Sequence, residues 1–377
     1  MLYFHNDVLG IPILINGCDD IELVNSNFDH SGWFISNKEV YHNNIRAASR
    51  AAGCNIEHIP KTPQAAFWML HQSNPRWFKI LSKDQLAAYT NELIKHYSDF
   101  LSNSSFEYFL THYQDQQKLI DSFCAAKINK NNMHIAKKYD INIDKSDFAD
   151  VVKYDNWSSA TGRMTVVSGP KILTMQKDDR EVFQSQYGND GSLIEIDYNA
   201  LDARVLLAIM NIGAPQSDLY TFIAKKCNLT CERAVIKEAV LAALYGMSVK
   251  NFIKRYPDFP DALDVLQSVK DFFDVKKLTE TINKLPTMQN YFGRTLHNGE
   301  RLISHYVQSS AVDVVCQGFL KILEQIEEPC PIFIIHDALI LDVKKKNIQN
   351  LKNITSQGII NDKLQTVFPV KLKEFLE

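Results

Sequence analysis

Two stretches, IDYNALDARVLLAIM (residues 196–210) and ERAVIKEAVLAALYG (residues 232–246), decide how the rest of the chain reads. In the first, the apolar run Leu193-Ile194-Glu195-Ile196 leads into a carboxylate, Asp197, and a helical pattern follows from about Ala200 to Asn211. The second is a helix in which Arg233, Lys237, Leu241 and Tyr245 recur every four residues. Side chains four apart share a helix face. That face carries two cations at one end and an aromatic ring at the other. Such a stripe suits a ligand with a polyphosphate tail and a flat base. A carboxylate opposite the phosphate end would hold a divalent metal.

The chain has 377 residues, 45% hydrophobic and 23% charged, enough for two or three packed units with a large core. A net charge of -3 excludes a protein that is basic all over but allows a local basic groove. The seven cysteines are scattered, and Cys227 and Cys231 lack a second Cys or His pair for a zinc site, so free thiols are expected. The N-terminal MLYFHNDVLG lacks the basic region and long apolar core of a signal peptide, and no stretch approaches a membrane span. A cytoplasmic protein with no membrane partner is the expectation.

Along the chain, residues 1–60 read as a small β-rich unit followed by a helix near 41–53. Asp20-Ile21-Glu22 has the D-x-E form of an exonuclease metal strand, but a solvated turn is the preferred reading. Thr62-Pro63 caps a short helix over 64–72, and from Lys83 to about Ile128 the period predicts two long antiparallel helices. Lys127, Lys130, Lys137 and Lys138 either track a phosphate backbone or decorate a solvated loop. Residues 154–180 are loop-rich and include Gly162-Arg163. Residues 247–285 are helical and polar, and a helix from about Ser304 to Glu327 carries Gln308 and Asp313. PIFIIHDALILDV, residues 331–343, predicts a β-hairpin with His336-Asp337 at its tip, because a polar pair between two buried strands is otherwise expensive. The tail to Glu377 is mixed.

If the strands before Asp197 and Asp337 are neighbours, the two carboxylates meet at one sheet edge. They would repel unless a cation lay between them, and two Mg²⁺ ions there could align an attacking 3′-hydroxyl and a leaving oxygen on phosphorus. Arg233 and Lys237 would neutralise the β- and γ-phosphates, and Lys237 could protonate the departing pyrophosphate. Taken singly, each feature has an ordinary reading: a strand-end Asp as a cap, Arg233 and Lys237 as a solvated helix face, Tyr245-Gly246 as a glycine-capped helix end.

Their order and spacing resemble those of the family A DNA polymerases, the DNA polymerase I type, from about Trp157 to Val343. Motif A, D-Y-S-x-x-E-x-R, stands as Asp197-Tyr198-Asn199-Ala200-Leu201-Asp202-Ala203-Arg204. Motif B corresponds to Arg233, Lys237, Leu241 and Tyr245-Gly246, and motif C, H-D-E, to His336-Asp337-Ala338. Thr161-Gly162-Arg163 matches the T-G-R that contacts the primer–template end, Gln308 through Asp313 the Q-G-x-x-A-D helix, and Phe292-Gly293-Arg294 a further signature. Departures are Asp202 for the glutamate that crowds a ribose 2′-hydroxyl, Leu241 for an aromatic, Ala338 for the third acid, Lys171 and Thr174 for asparagines, and Tyr220 for a histidine.

The resemblance implies an α+β right-hand fold with an antiparallel palm sheet, helical fingers and thumb, and a small N-terminal α/β unit. The implied parts are a unit of unknown role at 1–75, thumb at 76–155, palm at 156–212, fingers at 213–300 and palm again at 301–377. The implied activity is DNA-directed DNA polymerisation with two Mg²⁺ ions, or Mn²⁺ in their place, in a short form lacking a complete 3′–5′ exonuclease domain. Asp197, Asp337 and the Tyr198 carbonyl would hold metal, and Asp197, Asp337 and Lys237 would be catalytic. Arg233, Lys237, Leu241, Tyr245, Asp202 and Tyr220 would meet the dNTP. Arg163, Gln308, Arg294, His336 and Lys171 would meet primer–template DNA. Replication or repair in a bacterial or phage-infected cell fits, with residues 1–75 docking a replisome or processivity partner. Two alternatives stay open: a single-subunit RNA polymerase or primase-like enzyme, and a degenerate polymerase fold that only binds DNA.

Overall fold

The computed structural model describes residues 2–6, 11–16, 20–23, 33–36, 82–84, 115–116, 118–156, 159–255, 261–284, 288–294, 296 and 302–376. The chain divides into two compact units, Met1–Thr111 with Gly293–Thr295, and His112–Phe292 with Leu296–Glu377. The helices expected over 41–53 and 64–72, and most of the helical pair expected over 83–128, lie outside the described residues.

The first unit contains a four-stranded sheet of β1 (Leu2–Asn6), β2 (Ile11–Asn16), β3 (Asp20–Leu23) and β4 (Trp33–Ser36), in the order β3-β2-β1-β4. β1 and β2 pair antiparallel, as do β2 and β3, while β1 and β4 run parallel. Asp20-Ile21-Glu22 is therefore edge-strand backbone and not the expected solvated turn. Its β-branched centre, pairing opposite Ile15, outweighs the flanking acids.

The second unit is built on an antiparallel sheet of β5 (Gly191–Tyr198), β6 (Pro331–Ile335), β7 (Ala338–Lys344) and β8 (Val370–Glu374), ordered β6-β7-β5-β8. β6 and β7 form the hairpin expected from their sequence, with His336-Asp337 as the connection and His336 in the left-handed region at φ 54°. All five residues of β6 and the first six of β7 are buried. Unbroken burial means both faces of the hairpin are covered. Each buried Ile, Leu or Phe contributes roughly 1.5–3 kcal/mol, so the polar pair is tolerated only at the tip. Tyr198 packs on Phe319 at 5.3 Å, and Phe183 packs on Phe333 at 4.6 Å.

Helices follow β5: α1 (Leu201–Ile209), α2 (Leu219–Lys226), α3 (Arg233–Leu244), α4 (Val249–Arg255), α5 (Ala262–Phe272), α6 (Val275–Lys284) and α7 (Ile303–Leu323). Residues of α1 to α5, with Val307 of α7, bury one shared apolar core through Leu206, Ile223, Val240, Phe252 and Leu266. α2 starts where Asp218 accepts the Thr221 amide at 2.9 Å, an N-cap. α3 stops at Gly246, whose φ of 74° suits a left-handed C-cap. No described helix is long and apolar enough to cross a membrane.

Two further expectations change. The helical period does not reach Ile128: Lys127–Ile128 is a short strand paired with Phe183–Gln184. The basic segment 127–138 is not a free cationic loop. Lys130 pairs with Asp147 at 2.8 Å, Lys138 pairs with Asp179 at 2.8 Å, Lys127 lies over the Phe148 ring, and Met133–Lys138 is helical. The C-terminal tail supplies β8, a strand at the sheet edge next to β5.

Asp313 is not an ordinary polar-face residue. It is fully buried and accepts from Gln116 Nε2 at 2.7 Å and from Asn290 Nδ2 at 2.6 Å. Gln116 in turn accepts from Asn156. A buried carboxylate needs such donors, and this network ties α7 to three other segments.

Candidate active site

β5 and β7 pair with Ala338 opposite Asp197, which sets Asp337, one residue earlier on the hairpin turn, beside the end of β5. The Tyr198 amide donates to the Asp337 carbonyl at 3.2 Å and fixes this juxtaposition. On the other side of β5, Lys371 of β8 stands opposite Asp197, and Lys373 pairs with Glu195 at 2.9 Å. Asp337 has its carboxyl pushed up to about 6, first by burial, then by Asp202 and Asp197, against the opposing pull of Arg163. Asp197 is also raised, by burial and then by Glu195, while Lys373 and Lys371 oppose the shift.

Burial first and neighbouring acids second therefore disfavour the charged form of both carboxylates. Among the described residues no three His, Cys, Asp or Glu side chains come together as a metal cage. Two carboxylates form a hard, incomplete oxygen donor set. That set fits Mg²⁺, which keeps waters and takes substrate oxygens, and does not fit a closed structural metal.

Beside the pair, four separate elements converge. Asp202, in the first turn of α1, is 8% exposed and accepts a short hydrogen bond from the Tyr245 hydroxyl at the end of α3. The Arg163 guanidinium is 3.8 Å from the same carboxylate. The Tyr245 hydroxyl is raised to about 12, mainly by burial and then by Asp202, while Gln308 of α7 and Arg163 oppose the shift. His336 is held below its usual range by burial and by Arg163 and Arg180, so it is neutral at neutral pH.

The far end of α3 forms a second cluster. Arg233 donates Nε at 2.9 Å and Nη2 at 2.6 Å to Asp218 Oδ1, and its guanidinium lies 5.0 Å from the centre of the Tyr220 ring. Lys237 is exposed one turn on, Leu241 is half-buried, and Tyr245 is 40% exposed. The four-residue stripe on α3 is a single accessible face, anchored at both ends by acids. Lys171 sits on a surface loop. Arg294 belongs to the other unit and is buried at 2% exposure, presenting no surface to a ligand.

Sequence reasoning gave no role to Asp218, Arg180, Lys371 or the buried Arg204. Asp218-Leu219-Tyr220-Thr221 carried a legible N-cap signature, but nothing local tied it to Arg233. Arg204 donates to the carbonyls of Asn199 at 2.8 Å, Pro215 at 2.6 Å and Ser217 at 2.8 Å. It thereby fastens the β5–α1 turn to the segment that delivers Asp218.

This mixed helix-and-sheet fold resembles that of a DNA polymerase domain. One solved structure that it resembles is the polymerase domain of Pol1 from M. smegmatis, in complex with DNA primer-template and dNTP, at a TM-score of 0.50 and 15% sequence identity. The likeness covers 89% of this chain and 64% of that one, and it is a likeness of fold. No protein-family model matches the sequence, and no curated protein matches it.

Proposed function

We propose that the chain is a template-directed DNA polymerase of the family A type, adding dNTPs to a primer 3′ end. The observation that carries this reading is the register that brings Asp197 and Asp337 together beside the Asp202–Tyr245–Arg163–Gln308 cluster. In this reading the sheet β5–β8 with α1 and α7 is the palm, helices α2–α6 are the fingers, and residues 76–155 hold the thumb. Residues 1–75 are a partner-docking module or an exonuclease remnant.

Asp197, Asp337 and the Tyr198 carbonyl would hold Mg²⁺, which supplies Lewis-acid activation of the primer hydroxyl and the phosphate. Arg233 and Lys237 bind the triphosphate from the α3 face, and Lys237 is placed to give its proton to the leaving pyrophosphate. Tyr245 and Asp202 bound the sugar, and Arg163, Gln308 and His336 face the primer–template end. With Asp202 one methylene shorter than the family glutamate and Leu241 in place of an aromatic, sugar discrimination is weaker than in the family.

Primed template with Mg²⁺ and dNTPs should be extended, and Asp197→Ala or Asp337→Ala should abolish extension. Full extension by either variant would overturn the assignment. A labelled 3′ end reports any nuclease, parallel reactions with NTPs separate an RNA polymerase, and primer–template binding without extension identifies a silent binding subunit.

A further inference from the structure

The polymerase reading leaves Asp218 without a task, although it is the direct partner of the first phosphate-facing cation. Its two oxygens are divided. Oδ1 accepts both Arg233 bonds, and Oδ2 accepts the Thr221 amide at 2.9 Å and the Thr221 hydroxyl at 2.6 Å. The carboxylate is thus fixed at the start of α2, and Arg233 is held by its edge against Asp218 and by its face over Tyr220. An edge-on carboxylate presents a guanidinium with the same hydrogen-bonding surface as a phosphate. The Arg233 and Asp218 side chains are 53% and 34% exposed, so solvent screens the pair and its hold is weak. Lys237, one turn along, forms no ion pair among the described residues.

We infer that Asp218 is a resident competitor for Arg233, occupying the guanidinium edge that a nucleotide phosphate takes, so that polyphosphate binding proceeds by exchange of Asp218 for phosphate. This rests on the reading of Arg233 as a phosphate-binding residue. Asp218 then sets an affinity threshold: a highly charged triphosphate displaces it readily, whereas a singly charged anion does not. Arg233 also stays oriented in the absence of nucleotide and does not wander in solvent.

Asp218→Asn is the discriminating variant. Asparagine keeps an oxygen for the α2 cap and is as good an N-cap as aspartate, so the fold is retained, and a urea melt verifies this. The probe is inorganic tripolyphosphate, titrated by calorimetry into the full chain with no DNA present. Relative to the parent, Asp218→Asn should bind about fivefold tighter, the gain expected from removing a screened ion pair and its charge repulsion. Arg233→Ala should bind much more weakly, and Asp218→Asn should confer no such gain in its background. If Arg233→Ala binds as the parent does, the phosphate role of Arg233 fails, and the exchange with it. If Arg233→Ala binds weakly but Asp218→Asn binds equally or more weakly than the parent, Asp218 positions Arg233 and does not compete, and the exchange alone is overturned.

Discussion

Arg204→Met tests whether the β5–α1 turn and the start of α2 are held by one buried guanidinium. Arg204 is 2% exposed, and all three of its hydrogen bonds go to main-chain carbonyls, at 2.8, 2.6 and 2.8 Å. Burial lowers its pKa, with Tyr220 and Asp218 opposing the shift. Methionine fills much of the same volume but donates nothing. Each carbonyl left without a donor costs about 1–3 kcal/mol, on the order of 6 kcal/mol for the three. Removing a buried charge returns several kcal/mol of desolvation, so the net loss is roughly 3 kcal/mol. With a urea slope of about 3 kcal/mol/M, the midpoint should fall by roughly 1 M. Arg204→Lys, which can reach one carbonyl, should fall by about half as much. Two of the three acceptors, Pro215 and Ser217, lie in the three residues before Asp218, so the methionine variant should also lose control of tripolyphosphate affinity. A parental urea midpoint for Arg204→Met would refute the reasoning.

Other expectations follow from single contacts. Tyr245→Phe removes the donor to Asp202, whose Oδ1 has no hydrogen-bond partner among the described residues. It should cost about 2 kcal/mol in a urea melt and raise NTP incorporation relative to dNTP; no change in either would undo the assigned contact. A Cβ at Gly318 would overlap the buried Tyr198 hydroxyl, which also lacks a hydrogen-bond partner among the described residues. Gly318→Ala should therefore destabilise by about 1–3 kcal/mol. Tyr198→Phe should be neutral or slightly stabilising and should rescue Gly318→Ala in the double variant, as thermal melts will show. Asp337, held up to about 6, binds its proton more tightly folded than unfolded, where the value is about 3.9. In metal-free protein its contribution is full below about pH 4 and is lost as pH rises past 6, on the order of 3 kcal/mol. Asp337→Asn should flatten that part of a stability–pH profile.

The strands and helices that carry the site were legible because their signals are local. Leu193–Ile196 before Asp197, the β-branched runs around His336-Asp337, and the four-residue period from Arg233 to Tyr245 each declare a backbone period and a face without reference to other segments. Partnership was not legible. Nothing within the sequence around Lys371 says that a polar strand will lie opposite Asp197. Nothing around Lys130 or Lys138 says that each will meet an acid from elsewhere in the chain.

What the sequence determined by itself was therefore the set of chemical groups and the face on which each would stand: carboxylates at strand ends, two cations and a tyrosine along one helix. What only the tertiary structure decided was occupancy. Arg233 is engaged by Asp218, Tyr245 by Asp202, and Arg204 by three carbonyls. Periodicity fixes direction along one element, whereas the partner of a charge depends on which distant atoms arrive within hydrogen-bonding distance, and chain closure sets that.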